Sequence, residues 1–330
     1  MTDTLTPVRP RADRHRTSAA ASHVPSNVPT DVPSGVPPLT VSVDVPAKTN
    51  LTLHVGAPRA EWGGRHELDT IYCGMGVYDT VTVTRKEPGS GFSLDLTGEH
   101  LGDLASTGSD MRRNHAVLAL FSLAEACGRE PDVSLGIEKR IPVAAGLGGG
   151  SADAAGALLA LNELWSLHWP IGRLREIAAT LGADMPFCLT GGYARGTGFG
   201  ERIDDIPSDS PAARQLRERG FAGLAMIGAY ADALSTPAVY AAFDRLGAGD
   251  GDDNHLQHAA IALHPRSGDA IREAVAAGAR QAFVSGSGPS VVAFVADERA
   301  AADVRRAWTA SRAVDRIIMA QAPAVPRVRR

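Results

Sequence analysis

Alternation of apolar and polar positions sets in at about residue 39. Val41, Val43 and Val45 fall on one face, and Leu51, Leu53 and Val55 resume the pattern beyond Pro46, which predicts two strands around a break. The same period recurs at Val81 and Val83, at Phe92, Leu94 and Leu96, and at Val133, Leu135 and Ile137, with a helix expected over 111–126. After Ile141 the pattern changes to a Gly-rich turn, a long Ala/Leu helix over 152–165 and a second helix over 171–181. Strands return at 221–227, at 283–284 and at 291–295, with helices at 237–246, 254–263 and 300–310. Strands and helices in this irregular order favour an α+β architecture over a doubly wound parallel sheet.

The first 38 residues do not share this patterning. They hold seven of the 21 prolines, an arginine cluster (Arg9, Arg11, Arg14, Arg16) and a Val-Pro repeat spaced by two residues, a composition that buries no core and predicts a disordered extension. Asp3, Asp13 and Asp31 fit an organelle leader poorly, and no apolar signal core opens the chain. The basic 324–330 segment is expected to be a solvated tail. With 33 basic against 37 acidic residues and a net charge of −4, no global field favours nucleic acid or an anionic membrane. No run of about 18 apolar residues marks a membrane span. Three widely spaced cysteines, Cys73, Cys127 and Cys188, suit a reducing, cytoplasmic compartment and a packing role rather than a zinc site or redox pair.

The most informative stretch is Pro142-Val-Ala-Ala-Gly146-Leu-Gly148-Gly149-Gly150-Ser151-Ala152-Asp153. Glycines let a ligand approach the backbone, and the first N–H groups and dipole of the following helix favour an anion, so the turn reads as a phosphate cradle with Ser151 as helix N-cap. It is neither a Walker A loop nor GxGxxG. His255 and His258 are spaced for a metal, but no third ligand accompanies them.

The 142–155 stretch resembles the Pro-x-x-x-Gly-Leu-Gly-x-x-Ser-Ala signature of the GHMP small-molecule kinases. Pro46-Ala-Lys48-Thr-Asn50-Leu51, His66-Glu-Leu-Asp-Thr70, Leu181-Gly-Ala-Asp184-Met-Pro-Phe187 and Val284-Ser-Gly-Ser287-Gly288-Pro-Ser290 resemble further blocks of that family, in its order and over most of the chain beyond the extension. Together they look like the branch that phosphorylates the 2-hydroxyl of diphosphocytidyl methylerythritol in isoprenoid precursor synthesis.

The resemblance implies a two-domain GHMP fold, with an ATP-binding domain of ribosomal-protein-S5-like topology over 39–196 and an α/β substrate domain over 197–323. It implies ATP and Mg²⁺ as cofactors, a small-molecule substrate, no nucleic acid or membrane partner, and a monomer or weak homodimer. Lys48, one of only three lysines, matches the family's catalytic lysine, and Asp184 its general base. Pro142, Val143, Ala144, Ala145, Gly146, Leu147, Gly148, Gly149, Gly150, Ser151 and Ala152 are carried over to ATP, with Ser151 a candidate toward the metal. Asn50, His66, Tyr240, Ser287 and Gly288 are carried over to the substrate, Tyr240 as a ring to stack on cytosine. Arg65 departs from the branch, which has Tyr or Phe there, and Ala152 replaces a second Ser. A GHMP kinase for another alcohol, such as homoserine or mevalonate, and a non-catalytic nucleotide-binding module stay open at this stage.

Overall fold

The computed structural model describes residues 40–98, 111–143 and 145–329; the extension expected over 1–38 lies outside them. Two sheets organise these residues. The first contains β1 (Thr40–Arg59), β2 (Arg65–Arg85), β3 (Ser93–Gly98), β4 (Val133–Lys139), β5 (Tyr193–Thr197), β6 (Arg202–Ile206) and β11 (Arg327–Arg329). Its order is β11-β1-β2-β4-β3, with β5 joining β2 and β6 joining β5; only β3 and β4 run parallel. The second is antiparallel, in the order β10-β7-β9-β8, formed by β7 (Gly223–Ala229), β8 (Gln281–Val284), β9 (Val291–Phe294) and β10 (Arg316–Ala322).

β1 corrects one expectation. The break at Pro46 does not divide two strands; a single strand of 20 residues absorbs it as a register shift against β2 between Pro46 and Ala47, with a second between Asn50 and Thr52. Such irregularities bend a strand and re-aim its side chains. Between them the alternation disappears because residues 45–51 are buried throughout, Thr49 meeting the Ser285 hydroxyl at 2.9 Å.

Helices α1 (His115–Cys127) and α2 (Gly149–Leu164) cover the first sheet, and Ala152, Ala154, Ala155, Leu158 and Leu161 enter its core with Val43, Val45, Val81 and Val83. α3 (Ile171–Leu181) and the single turn α4 (Met185–Cys188) lead back to β5, and α5 (Pro211–Glu218) leads into β7. The central strands of the second sheet, β7 and β9, are buried on both faces. Ala225, Ile227, Val292 and Phe294 join the main core, while Met226, Val291 and Ala293 pack with Ala270, Ala274, Val304 and Trp308 of α8 (Pro265–Ala276) and α9 (Glu298–Ser311). α6 (Thr236–Leu246) and α7 (Gln257–Leu263) form a smaller cluster with Leu53 and Val284, which ties them to the outer half of β1. This is the mixed α+β architecture expected from the sequence. The first sheet runs past residue 196 into β6, and Val328, in the segment expected as a solvated tail, pairs with Val43 of β1.

Candidate active site

A cavity of about 920 Å³ opens where β1, the 145–151 turn, the loop before α4, α6 and the 286–288 loop meet. The turn is held to β1 through its backbone, the Lys48 N–H donating to the Leu147 carbonyl at 2.9 Å. That bond sets Gly148 against the lysine side chain: a Cβ there would lie 2.6 Å from Lys48 Cγ, and the residue has φ +71°. Only glycine suits both demands.

Ser151 is not the helix cap. Gly148 is, α2 begins at Gly149, and Ser151 falls in the first turn. Gly150, a poor helix former, sits in that turn where a side chain would collide: a Cβ there would lie 2.5 Å from His115 Nδ1. Ala145, Gly146, Gly148, Gly149, Gly150 and Ser151 line the cavity. Leu147 and Ala152 point into the core, Pro142 is buried, Val143 is half-buried outside the lining, and Ala144 lies outside the described residues.

Lys48 and Asp184, 136 positions apart in sequence, form an ion pair at 3.0 Å; the lysine side chain is 6% exposed and the carboxylate 30%. Asp184 immediately precedes α4 but makes no side-chain capping bond, which leaves its carboxylate to the cavity. Asn50 lines the cavity with its amide already engaged: the carbonyl accepts from Lys48 Nζ at 3.0 Å and the NH₂ donates to Thr70 Oγ1 at 2.8 Å. Thr70 in turn donates to the Thr52 carbonyl at 2.6 Å, which fixes the direction of the chain of bonds and hence the orientation of the amide.

At the other end His66 stacks on Tyr240 with ring centroids 5.0 Å apart, and its Nε2 lies 2.9 Å from Asp244 Oδ1. Burial pushes the Tyr240 hydroxyl well above its ordinary range. Arg65 places its guanidinium 4.6 Å from the ring centre of Phe199, against which Trp62 packs edge-on. Ser287 and Gly288 border the same space, Ser287 Oγ lying 3.0 Å from Thr236 Oγ1. His255 Nδ1 accepts from the Val55 N–H at 3.1 Å, and its ring lies 4.8 Å from that of His54; no group of three or more metal-ligating side chains occurs among the described residues.

Four contributors escape a reading by motif: Tyr72, Phe199, His115 and the buried cluster of Lys139, Asp79 and Asp153. Lys139 donates to Asp79 and, at 2.6 Å, to Asp153, and Asp79 Oδ1 accepts from the Arg140 and Ile141 N–H groups at 2.6 and 2.8 Å, where the chain enters the turn. Burial, reinforced by Asp79, pushes Asp153 up to about 7 against the pull of Lys139, because one ammonium faces two carboxylates. Burial lowers Lys139, but the two carboxylates outweigh it and its net direction is upward. Burial also lowers His115. The parity of β4 signals Lys139: Val133, Leu135 and Ile137 face the core, and the next position in step is the lysine.

This geometry agrees with the comparisons to known proteins. Residues 114–192 match the family model for the GHMP kinases N terminal domain and residues 238–313 that for the GHMP kinases C terminal domain. A 4-diphosphocytidyl-2-C-methyl-D-erythritol kinase of Bifidobacterium adolescentis is 72% identical over 286 residues, covering 87% of this chain and 93% of that protein. The chain belongs to the 4-diphosphocytidyl-2-C-methyl-D-erythritol kinase family. The Streptomyces coelicolor kinase of that name is 39% identical, over 83% of this chain and 93% of its own. A crystal structure of 4-(cytidine 5'-diphospho)-2C-methyl-D-erythritol kinase superposes with a TM-score of 0.63 at 31% identity, covering 86% of this chain and 99% of that one. Homoserine kinase from Cytophaga hutchinsonii, at 17% identity, TM-score 0.64 and coverage of 88% and 97%, shares the fold. As a member of this kinase family the chain is an ATP-using small-molecule kinase of GHMP fold. No helix among the described residues is long and apolar enough to cross a membrane.

Proposed function

We propose that this chain transfers the γ-phosphoryl group of ATP to the 2-hydroxyl of 4-diphosphocytidyl-2-C-methyl-D-erythritol. The observation that carries the reading is the Lys48–Asp184 pair, which lines one cavity with the glycine turn on one side and the His66–Tyr240 stack on the other. Phosphoryl transfer asks for positioning and charge neutralisation more than for covalent chemistry. The N–H groups of residues 148–151 and the dipole of α2 suit the triphosphate. Asp184 accepts the proton of the substrate hydroxyl. As that O–H bond breaks, the oxygen forms its bond to the γ-phosphorus, the bridging P–O bond to the β-phosphate breaks, and ADP leaves with the electron pair. Lys48, pre-aligned by Asn50, pairs with the carboxylate at 3.0 Å and offsets charge developing on the phosphoryl oxygens. Mg²⁺ bound with ATP would supply further charge neutralisation, and the Ser151 hydroxyl, which lines the cavity beside the glycine turn, is the protein group that would face it.

The distal end suits a nucleobase. The Tyr240 and Phe199 rings, the Arg65 guanidinium and His66 offer stacking faces and a polar edge, a set that a small alcohol such as homoserine would leave unused. Ser287 and Gly288 flank the space between the two ends. The test is ADP release with Mg-ATP and the cytidylated alcohol, the same alcohol lacking cytidine, homoserine or mevalonate, followed by product mass. We expect one added phosphoryl group on the cytidylated alcohol alone. ATP binding without transfer to any of the four would refute the reading and favour a binding module.

A further inference from the structure

Asp184 has two carboxylate oxygens, and Lys48 accounts for one. The other, Oδ1, accepts a hydrogen bond from the Tyr72 hydroxyl at 2.9 Å. Tyr72 lies on β2, opposite Asn50 in the β1–β2 register, and is 1% exposed. Its ring stacks on Phe187 of α4 with centroids 4.8 Å apart and planes 19° apart, so the short helix that follows Asp184 and the tyrosine that holds its carboxylate are packed as a unit. The slot is shaped for this ring: at Gly196 of the adjacent β5 a Cβ would come within 2.5 Å of Tyr72 Cε2. Burial, with Asp184 alongside, pushes the phenol well above its usual range, so it remains a donor.

We propose that the Tyr72 hydroxyl is a positioning group for phosphoryl transfer, fixing the Asp184 carboxylate so that its free lone pairs meet the substrate hydroxyl. The inference rests on the reading of Asp184 as the base. A carboxylate tied at one oxygen can swivel about its last torsion; one tied at both cannot, and catalysis is sensitive to such displacements. Asn50 orients Lys48, Lys48 holds Oδ2, and Tyr72 holds Oδ1, so donors from β1 and β2 converge on one side chain. Tyr72 also has a second acceptor, the Gly200 carbonyl at 3.4 Å. Once Asp184 carries the substrate's proton, its demand for donors falls, and the phenol has somewhere else to turn.

The experiment compares the full chain with Tyr72→Phe, Asp184→Asn and the double variant, using steady-state ADP release with Mg-ATP and the cytidylated alcohol, single-turnover rates and melting curves. Phenylalanine keeps the stack on Phe187 and removes only the hydroxyl. We expect Tyr72→Phe to lower kcat by about tenfold, the effect of one hydrogen bond to a charged group, with both KM values within about twofold of wild type and the melting curve unchanged. Asp184→Asn should lower kcat by about 10²–10⁴-fold, and adding Tyr72→Phe to it should cost little more, because the hydroxyl acts through the carboxylate. A Tyr72→Phe kcat within twofold of wild type beside an inactive Asp184→Asn overturns the proposal and leaves the base reading standing. Loss of kcat together with a lowered melting temperature and raised KM values assigns Tyr72 to packing and also overturns it, as do single-turnover losses that multiply fully in the double variant. A near-normal Asp184→Asn, or a wild-type chain without turnover, removes the base reading and the proposal with it.

Discussion

Replacing Lys139 by methionine tests how the glycine turn is supported. The lysine side chain is 2% exposed and the two carboxylates it serves are 0% and 5% exposed, so no solvent is available to take its place. The carboxylates are not equally dependent on it. Asp79 keeps the Arg140 and Ile141 N–H groups, whereas Asp153 loses the partner of Oδ2 and already has none at Oδ1. Removing one member of a buried ion pair costs about 3–5 kcal/mol, chiefly for the charge left behind. At the roughly 2 °C per kcal/mol expected for a chain of this size, Lys139→Met should melt about 6–10 °C below wild type at pH 8. Asp153→Asn in the same chain removes the stranded charge and should recover more than half of the deficit. The dependence on pH follows from the upward shift of Asp153. Its folded value near 7 lies above the unfolded one, so folding takes up a proton between them and Asp153 opposes folding increasingly as pH rises from about 4 through about 7. Without the ammonium that opposition grows, and so the gap between Lys139→Met and wild type should be widest at pH 8 and shrink toward pH 5.5. Calorimetric or fluorescence melts of the three proteins at both pH values decide the matter. A Lys139→Met protein melting within 2 °C of wild type at pH 8, or a double variant no more stable than the single one, would refute the argument.

Two further outcomes follow from the cavity. Tyr240→Leu removes the ring stacked against His66, and a lost base stack of about 1–3 kcal/mol should raise KM for the cytidylated alcohol by about 5- to 150-fold while leaving KM for ATP within twofold; equal changes in both, measured by ADP release, would place the ring outside the base subsite. Gly148→Ala puts a Cβ 2.6 Å from Lys48 Cγ at a φ of +71°, so kcat should fall by at least about tenfold while the melting temperature drops by only a few degrees; a fully active variant would mean that the lysine need not occupy its observed position.

Much of this architecture is visible in the residues before any coordinates. Helix 171–181 is observed as Ile171–Leu181, because its apolar positions recur at helical spacing and Pro170 and Gly182 bound it. Cys73 and Cys188 are buried and free, as their spacing suggests. The segment around Pro46 is harder to read, since alternation reports one buried face, and residues 45–51 are buried on both. Helix α8 has no counterpart in the sequence reading: its inward residues Ala270 and Ala274 are small, and its apolar signal is weak.

The site divides along the same physical line. Residues whose role depends on local backbone, the glycines above all, are legible because few side chains tolerate their conformations. Ser151 shows the limit: serine before a helical run is a strong capping signal, yet the cap falls on Gly148, at φ +71° where a Cβ would lie 2.6 Å from Lys48 Cγ, and Ser151 sits inside the first turn. Lys139 was open to inference by strand parity combined with scarcity, since a lysine placed in step with Val133, Leu135 and Ile137 must find a carboxylate inside the fold. Asp184 is marked by the block around it, but its pairing with Tyr72 is not. The two stand 112 positions apart, and their contact is made in the tertiary fold, where β2 pairs with β5 and Phe187 of α4 stacks on the Tyr72 ring. A hydrogen bond made by tertiary packing leaves no periodicity in either segment, so the residues that orient the chemistry are the ones for which three-dimensional structure is indispensable.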